Sequence, residues 1–281
     1  MDKEFIGKFN KNLWLANNYY ERQILDSIFN DFKNVRLTHL KLPKNISKIF
    51  GRVFDAFLEI ESYKTHSRTV YFDGSGCETS DLSLIVDYKI YSPIRCYSTS
   101  KTITFIQLKL GHYNKPWYLS GKQLYFMKYW PSFRYKNTVY NLDVFRMYPD
   151  ICSFYLFAYK NKDFSDSVYY RGIWRKNFRV NAFALSTVKL EYIYGSNFTP
   201  TSNTVFVDSE LRKCNQKGIA FFLWHILLQN LGMYSIDAEK FLQAMFPELL
   251  GNDPAIDKNK SISSDELPSV GIRITVGIKM E

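Results

Sequence analysis

Two apolar stretches decide the reading of this chain: Asp81-Leu-Ser-Leu-Ile-Val-Asp-Tyr88 and Thr102-Ile-Thr-Phe-Ile-Gln-Leu-Lys109. In the first, Leu82, Leu84 and Val86 alternate with Asp81, Ser83, Ile85 and Asp87. In the second, Ile103, Phe105, Gln107 and Lys109 share the odd face. Alternation with period two marks a strand, and residues two apart point the same way. If the strands pair as a matched antiparallel hairpin, Tyr88 faces Thr102 and Asp81 faces Lys109, with opposed Cβ atoms about 5 Å apart. Asp81, Gln107 and Lys109 are then expected at the open end of the hairpin, on one face, in a cleft that solvent reaches. Ile103 and Phe105 are expected to be buried further along that face.

Working outward, the connection from Lys89 to Lys101 reads as a solvent loop, and Gly111 to Pro116 as a turn-rich loop. Ser120-Gly-Lys-Gln123 has capping-box spacing and starts a helix that ends before Pro131. Upstream, the pattern predicts a helix from Asn17 to Lys33, a second from Ser47 to Glu61, and a strand from Arg68 to Phe72 closed by the turn Asp73-Gly-Ser-Gly76. Downstream, Ser153 to Tyr159 is unbroken and aromatic, as in a strand buried on both faces. Arg179 to Tyr194 reads as a further strand, and Thr204 to Val207 as a short one. Gln216 to Leu231 is an apolar helix ended by Gly232, and Ser235 caps another. Leu250 to Pro268 is polar and expected to be mobile. The final Ser269 to Met280 alternates as a strand with one buried face, carrying Val270, Ile272, Ile274, Val276 and Ile278.

An acidic residue opening one strand and a (Asp/Glu/Gln)-x-Lys motif closing the next resemble the active site of the PD-(D/E)XK nuclease superfamily, the restriction-endonuclease-like fold. Here these are Asp81 and Gln107-Leu108-Lys109, and the resemblance runs from Glu78 to about Trp130. It implies an α/β fold, a mixed β-sheet flanked by helices, with a restriction-endonuclease-like core over 1–195. Residues 196–281 then form a mainly helical C-terminal extension with a final strand, packed on the core. The resemblance further implies a Mg²⁺-dependent (or Mn²⁺-dependent) endonuclease acting on DNA, with a role in bacterial anti-phage defence or DNA processing.

Within that resemblance Asp81 is the principal metal ligand, and Gln107 and the Leu108 carbonyl offer further oxygens. Lys109 orients the attacking water or stabilises charge on the phosphate. Gln in place of the commoner carboxylate leaves one negative ligand fewer. Glu78, three residues before Asp81, is a further candidate ligand. Glu61, at the end of an apolar stripe, suits the helix-borne acid of the resembled family, and Glu21 is of the same kind. Gln123 matches the polar residue that related nucleases bring from the following helix, although its capping role explains it equally well. His112 reads as a loop histidine, His225 as a core one and Asp87 as solvated.

The formal charge of +10 and the pI near 9.2 favour a polyanionic partner. Two basic-aromatic segments supply candidate nucleic-acid contacts: Lys115, Lys122, Lys128 and Arg134 in the first, Arg171, Arg175 and Lys176 in the second. The four cysteines are far apart and form no C-x-x-C pair, which argues against a zinc site and for reduced thiols. No Ser-His-Asp arrangement, phosphate-binding Gly loop or His-rich spacing is visible. The start lacks a signal-peptide core and the longest apolar run, Ile219 to Leu228, is too short to span a bilayer, so a cytoplasmic location is expected. The competing reading is a catalytically inactive nucleic-acid-binding or assembly subunit with a nuclease-like fold. A homo-oligomer or a place in a multi-component system is compatible with either.

Overall fold

The computed structural model describes residues 2–38, 53–66, 68–92, 95–112, 115–170, 174–194, 205–207, 218–250 and 268–280. Along the chain, helices α1 (Asp2–Trp14) and α2 (Glu21–Asp31) precede strands β1 (Val35–Leu37), β2 (Val53–Thr65), β3 (Thr69–Phe72), β4 (Ser75–Glu78), β5 (Leu82–Tyr91), β6 (Cys96–His112) and β7 (Trp117–Leu119). Helix α3 (Gly121–Tyr129), strands β8 (Phe133–Tyr135) and β9 (Thr138–Tyr140), and short helices α4 (Asp143–Met147) and α5 (Pro149–Cys152) follow. Then come β10 (Ser153–Lys160), β11 (Phe164–Tyr170), β12 (Trp174–Val180), β13 (Ala182–Ser186), α6 (Thr187–Tyr194) and β14 (Val205–Val207). Helices α7 (Ile219–Leu227) and α8 (Ile236–Met245) and strand β15 (Ser269–Met280) complete the described chain.

Seven strands form the central sheet in the order β1-β2-β15-β5-β6-β10-β13. The β5–β6 hairpin is antiparallel, and β10 returns parallel to β6 after the excursion through α3, α4 and α5. The last strand, β15, is inserted between β2 and β5, antiparallel to the first and parallel to the second. One face of the sheet presents Leu82, Leu84, Val86, Ile106, Leu108, Ile272 and Ile274 to α1, α2 and α7. The other presents Ile85, Ile103, Phe105, Tyr155 and Phe157 to α3, α4 and α8. The fold is therefore mixed α/β: a central mixed sheet flanked by helices, with a helical C-terminal region. A smaller sheet of order β4-β3-β8-β9 stands beside it.

Several expectations are corrected. The helix expected over Ser47–Glu61 is, where described, strand β2. Val53, Phe54, Phe57 and Leu58 also fall at helical spacing, and the alternation that marks the strand, Leu58-Glu-Ile-Glu61, begins only at its middle. The strand expected over Arg179–Tyr194 divides into the end of β12, strand β13 and helix α6. The Lys89–Lys101 loop is largely hairpin, because β5 and β6 remain paired from Tyr91 and Cys96 inward across a register shift at Tyr88/Lys89. Both faces of β15 are buried: Gly271, Thr275 and Gly277 fill the side opposite the aliphatic row. Helix α1, read as no element in the sequence, buries Phe5, Ile6, Phe9 and Leu13 completely. The polar segment from Leu250 to Pro268 lies almost wholly outside the described residues.

Candidate active site

The β5–β6 hairpin sets the site. Leu82 pairs with Ile106, and the Asp81 N–H donates to the Ile106 carbonyl at 3.1 Å. Asp81 therefore stands across from Gln107, not from Lys109 as a matched hairpin would place it. The slip is two residues, so side-chain parity is kept and Asp81, Gln107 and Lys109 still share a face.

Asp81 is completely buried. Its carboxylate accepts the Leu108 N–H at 2.8 Å, so the side chain takes over the hydrogen-bond ladder where the strand ends. It also accepts from Gln107 Nε2 and forms an ion pair with Nη1 of Arg68. Arg68, the residue before β3, is itself buried, and its Nη2 reaches the exposed carboxylate of Glu78 at 2.7 Å. Gln107 Oε1 accepts from Gln123 Nε2 at 2.7 Å, and the same amide lies 3.3 Å from the Glu78 carbonyl. Ser120 Oγ accepts the Gln123 N–H at 3.4 Å. Gln123 thus uses its backbone in the cap of α3 and its side chain in the site.

Glu21 opens α2, and its Oε1 accepts the N–H of Leu110, the residue after Lys109, at 3.2 Å. Burial pushes the Glu21 carboxyl above the usual range, opposed chiefly by the Lys109 ammonium. Burial likewise pushes the Asp81 carboxyl up, against the pull of Lys109 and Arg68. Lys109 is half-buried and acts electrostatically on both acids. On β10, Tyr155 pairs with Gln107 and so lies beside it on the same face. Its hydroxyl is fully buried and finds no hydrogen-bond partner among the described residues, and the same holds for Nε of Arg68. Asp81 also acts on Tyr155, whose hydroxyl burial pushes well above its ordinary value.

The structure thus brings together Asp81, Gln107, Lys109, Gln123 and Glu78, and adds Glu21, Arg68 and Tyr155. It does not bring in Glu61. On β2 that residue is level with Arg273 of β15 and Ile85 of β5, roughly 16 Å from Asp81 by strand spacing, and accepts the Tyr63 hydroxyl at 3.0 Å. The expected solvent-open cleft is closed at Asp81 and Gln107, because Arg68 and α3 cover them. Solvent reaches the site through Glu78 and in part through Lys109.

Of the basic residues, Lys115 and Arg134 are exposed, Lys122 is half-buried, and Lys128 pairs with Glu191 at 3.2 Å. Arg171 lies outside the described residues; Arg175 and Lys176 are on β12. His225 rests on Phe221 and bonds Asn230, a packing role. Asp87, read as solvated, is buried. Cys77, Cys96 and Cys152 are free thiols, and Cys214 lies outside the described residues.

Of the residues that sequence reasoning missed, Arg68 carries no local signal: it meets Asp81 only once β3 and β4 fold back. Tyr155 sits in a run of aromatics that all read as core.

Mg²⁺ favours oxygen donors, keeps several waters and is commonly held by one or two carboxylates plus substrate phosphate. Asp81 and the Gln107 carboxamide oxygen fit it in kind, but the carboxamide now turns its nitrogen toward Asp81 and its oxygen toward Gln123. Arg68 now neutralises Asp81, so loading requires the guanidinium to move aside. Among the described residues no group of three or more His, Cys, Asp or Glu side chains forms a metal cluster. None of the described helices is long and apolar enough to cross a membrane. Compared with protein-family models, with curated proteins and with solved structures, the chain matches none.

Proposed function

We propose that this chain is a metal-dependent nuclease with a restriction-endonuclease-like core, hydrolysing phosphodiester bonds of DNA. The observation that carries this reading is convergence. Asp81, Gln107, Lys109 and Gln123, singled out in the sequence by a motif and a helix position, meet around one buried carboxylate. The sheet order supports it too: an antiparallel hairpin, a helical crossover and a strand parallel to the second hairpin strand place these groups at one sheet end.

Asp81 and Gln107 would hold the ion. When bound it supplies a water of lowered pKa and polarises the phosphoryl oxygen. The chain's own residues do the rest. Lys109 sets a half-buried ammonium two residues from Gln107, on the face where charge builds on the phosphate. Gln123 holds the Gln107 oxygen while the amide nitrogen faces Asp81, so the carboxamide must turn over for its oxygen to join Asp81 on the ion. Glu21, tied to Leu110, adds a second carboxylate to the field around Lys109. The exposed Glu78 marks the side from which a strand of DNA would enter.

One observation favours the second reading, a nucleic-acid-binding subunit without catalysis: the Arg68 guanidinium already neutralises Asp81. A plasmid-nicking assay separates the two. The nuclease reading expects supercoiled DNA to be nicked in Mg²⁺ and spared in EDTA. Binding without nicking selects the second reading.

A further inference from the structure

The small sheet carries a surface that the site does not use. Its strands β3 and β4 form the hairpin whose base holds Arg68 and Glu78. Tyr71 pairs with Gly76 on one side and with Arg134 on the other, and Arg134 pairs with Val139. Paired residues share a face, so Gly76, Tyr71, Arg134 and Val139 form one row across four strands. The opposite face is apolar and buried: Val70, Phe72, Phe133 and Tyr140 join the aromatic core.

The outer row is built around an aromatic ring. Tyr71 is 48% exposed and Val139 63%. The Arg134 guanidinium lies 5.8 Å from the Tyr71 ring centroid. On the other side a Cβ at Gly76 would sit 3.3 Å from the ring, so the absent side chain leaves room for the tyrosine. A cavity of about 370 Å³ adjoins it, walled by Tyr71, Asp73, Ser132, Arg134 and Val139.

From this geometry we propose that the row is a stacking platform for an unpaired base of single-stranded nucleic acid, Tyr71 supplying the ring and Arg134 the cation. Every base has a π face, and an aromatic ring beside a guanidinium binds it whatever the sequence. The net charge of +10 supplies the attraction for a polyanion that a peptide or lipid-tail partner would not need. The platform lies on the path to the site. Thr69 and Glu78 are the next outward pair on the same face, and Arg68 links Glu78 to Asp81. Tyr71 is three residues from Arg68, roughly 10 Å of strand, or about three nucleotides at a stacked rise. The inference rests on the nucleic-acid reading above and deepens it: the strand delivered to Asp81 is single, or locally opened, with one base held on Tyr71.

The test uses the full chain in EDTA, so that nothing is cleaved, with a single-stranded oligonucleotide carrying a fluorescent base analogue and with the matching duplex. The expected result is tighter binding of the single strand, with analogue fluorescence quenched by stacking. Tyr71→Ala should weaken single-strand binding about five- to a hundredfold, the cost of one lost stacking ring, and leave duplex binding unchanged. Tyr71→Phe should keep both. Equal binding of the single strand by wild type and Tyr71→Ala overturns the platform while leaving the nucleic-acid reading standing. So does an equal loss on both forms of DNA. Failure of the wild type to bind either form overturns both.

Discussion

Asp81 is a carboxylate held by three donors inside the protein, and Gln107 is the neutral neighbour that makes this arrangement stable without a metal. A carboxylate in place of Gln107 would set two like charges side by side in a buried site. Gln107→Glu is therefore expected to lower the melting temperature in EDTA, and Mg²⁺ should raise it again by more than it raises that of the wild type. A thermal-shift comparison with and without Mg²⁺ reads this directly; no difference between the two proteins would remove Gln107 from the proposed metal site. Glu21 gives a pH signature. Its folded carboxyl is pushed above the unfolded value by burial, so its stabilising contribution is present at low pH and lost as pH rises through the folded pKa. Glu21→Gln removes that loss. The variant should gain in melting temperature relative to wild type near neutral pH and lose the advantage as pH falls toward the ordinary carboxylate range. A gap that is constant across this window would mean Glu21 does not titrate there.

Among the elements, β15 has the largest structural consequence. It fills the gap between β2 and β5, and at Gly277 the Phe57 ring of β2 lies across the strand. A Cβ at Gly277 would clash with the Cζ and Cε atoms of that ring, and the ring is held in turn by Tyr91 at 5.3 Å. Gly277→Val should therefore destabilise the fold by about 1–3 kcal/mol through overpacking, measured as a lower denaturant midpoint at unchanged slope. The elements legible in the sequence were those with period-two alternation, an unbroken apolar run of strand length or a clear cap. The β5–β6 pair, β10, α3 and α8 fall where alternation, an aromatic run or a Ser cap marks them. Ser120 and Ser235 both accept the backbone N–H three residues on. Strand β2 was misread because Phe50, Val53, Phe54, Phe57 and Leu58 fall at helical spacing in the sequence. Helix α1 was legible in principle, since Phe5, Ile6, Phe9 and Leu13 repeat at helical spacing. The candidate site was legible at Asp81, Gln107, Lys109 and Gln123, which the strand pair and the capped helix after it carry. It was illegible at Arg68, which no motif or periodicity marks and which meets Asp81 only through the β3–β4 hairpin.

At the scale of the whole molecule, the net positive charge and the position of the site at one end of the sheet act together. Affinity for DNA should fall steeply as salt rises, because cations released from phosphate supply much of the free energy. Fluorescence anisotropy across a salt series measures the slope, and an affinity indifferent to salt would argue against a phosphate-contacting surface. Binding alone leaves both readings of the protein open. The measurement that separates them most directly is Mg²⁺-dependent nicking of supercoiled plasmid by the wild type, Asp81→Asn and Lys109→Ala, each first shown to be folded. The account predicts nicking by the wild type in Mg²⁺ and none in EDTA. It predicts loss of that activity in Asp81→Asn, and a fall of about a hundredfold or more in Lys109→Ala, the scale of removing a group that stabilises transition-state charge. Wild-type rates in Asp81→Asn, or a wild type that binds the plasmid and never nicks it, would contradict it.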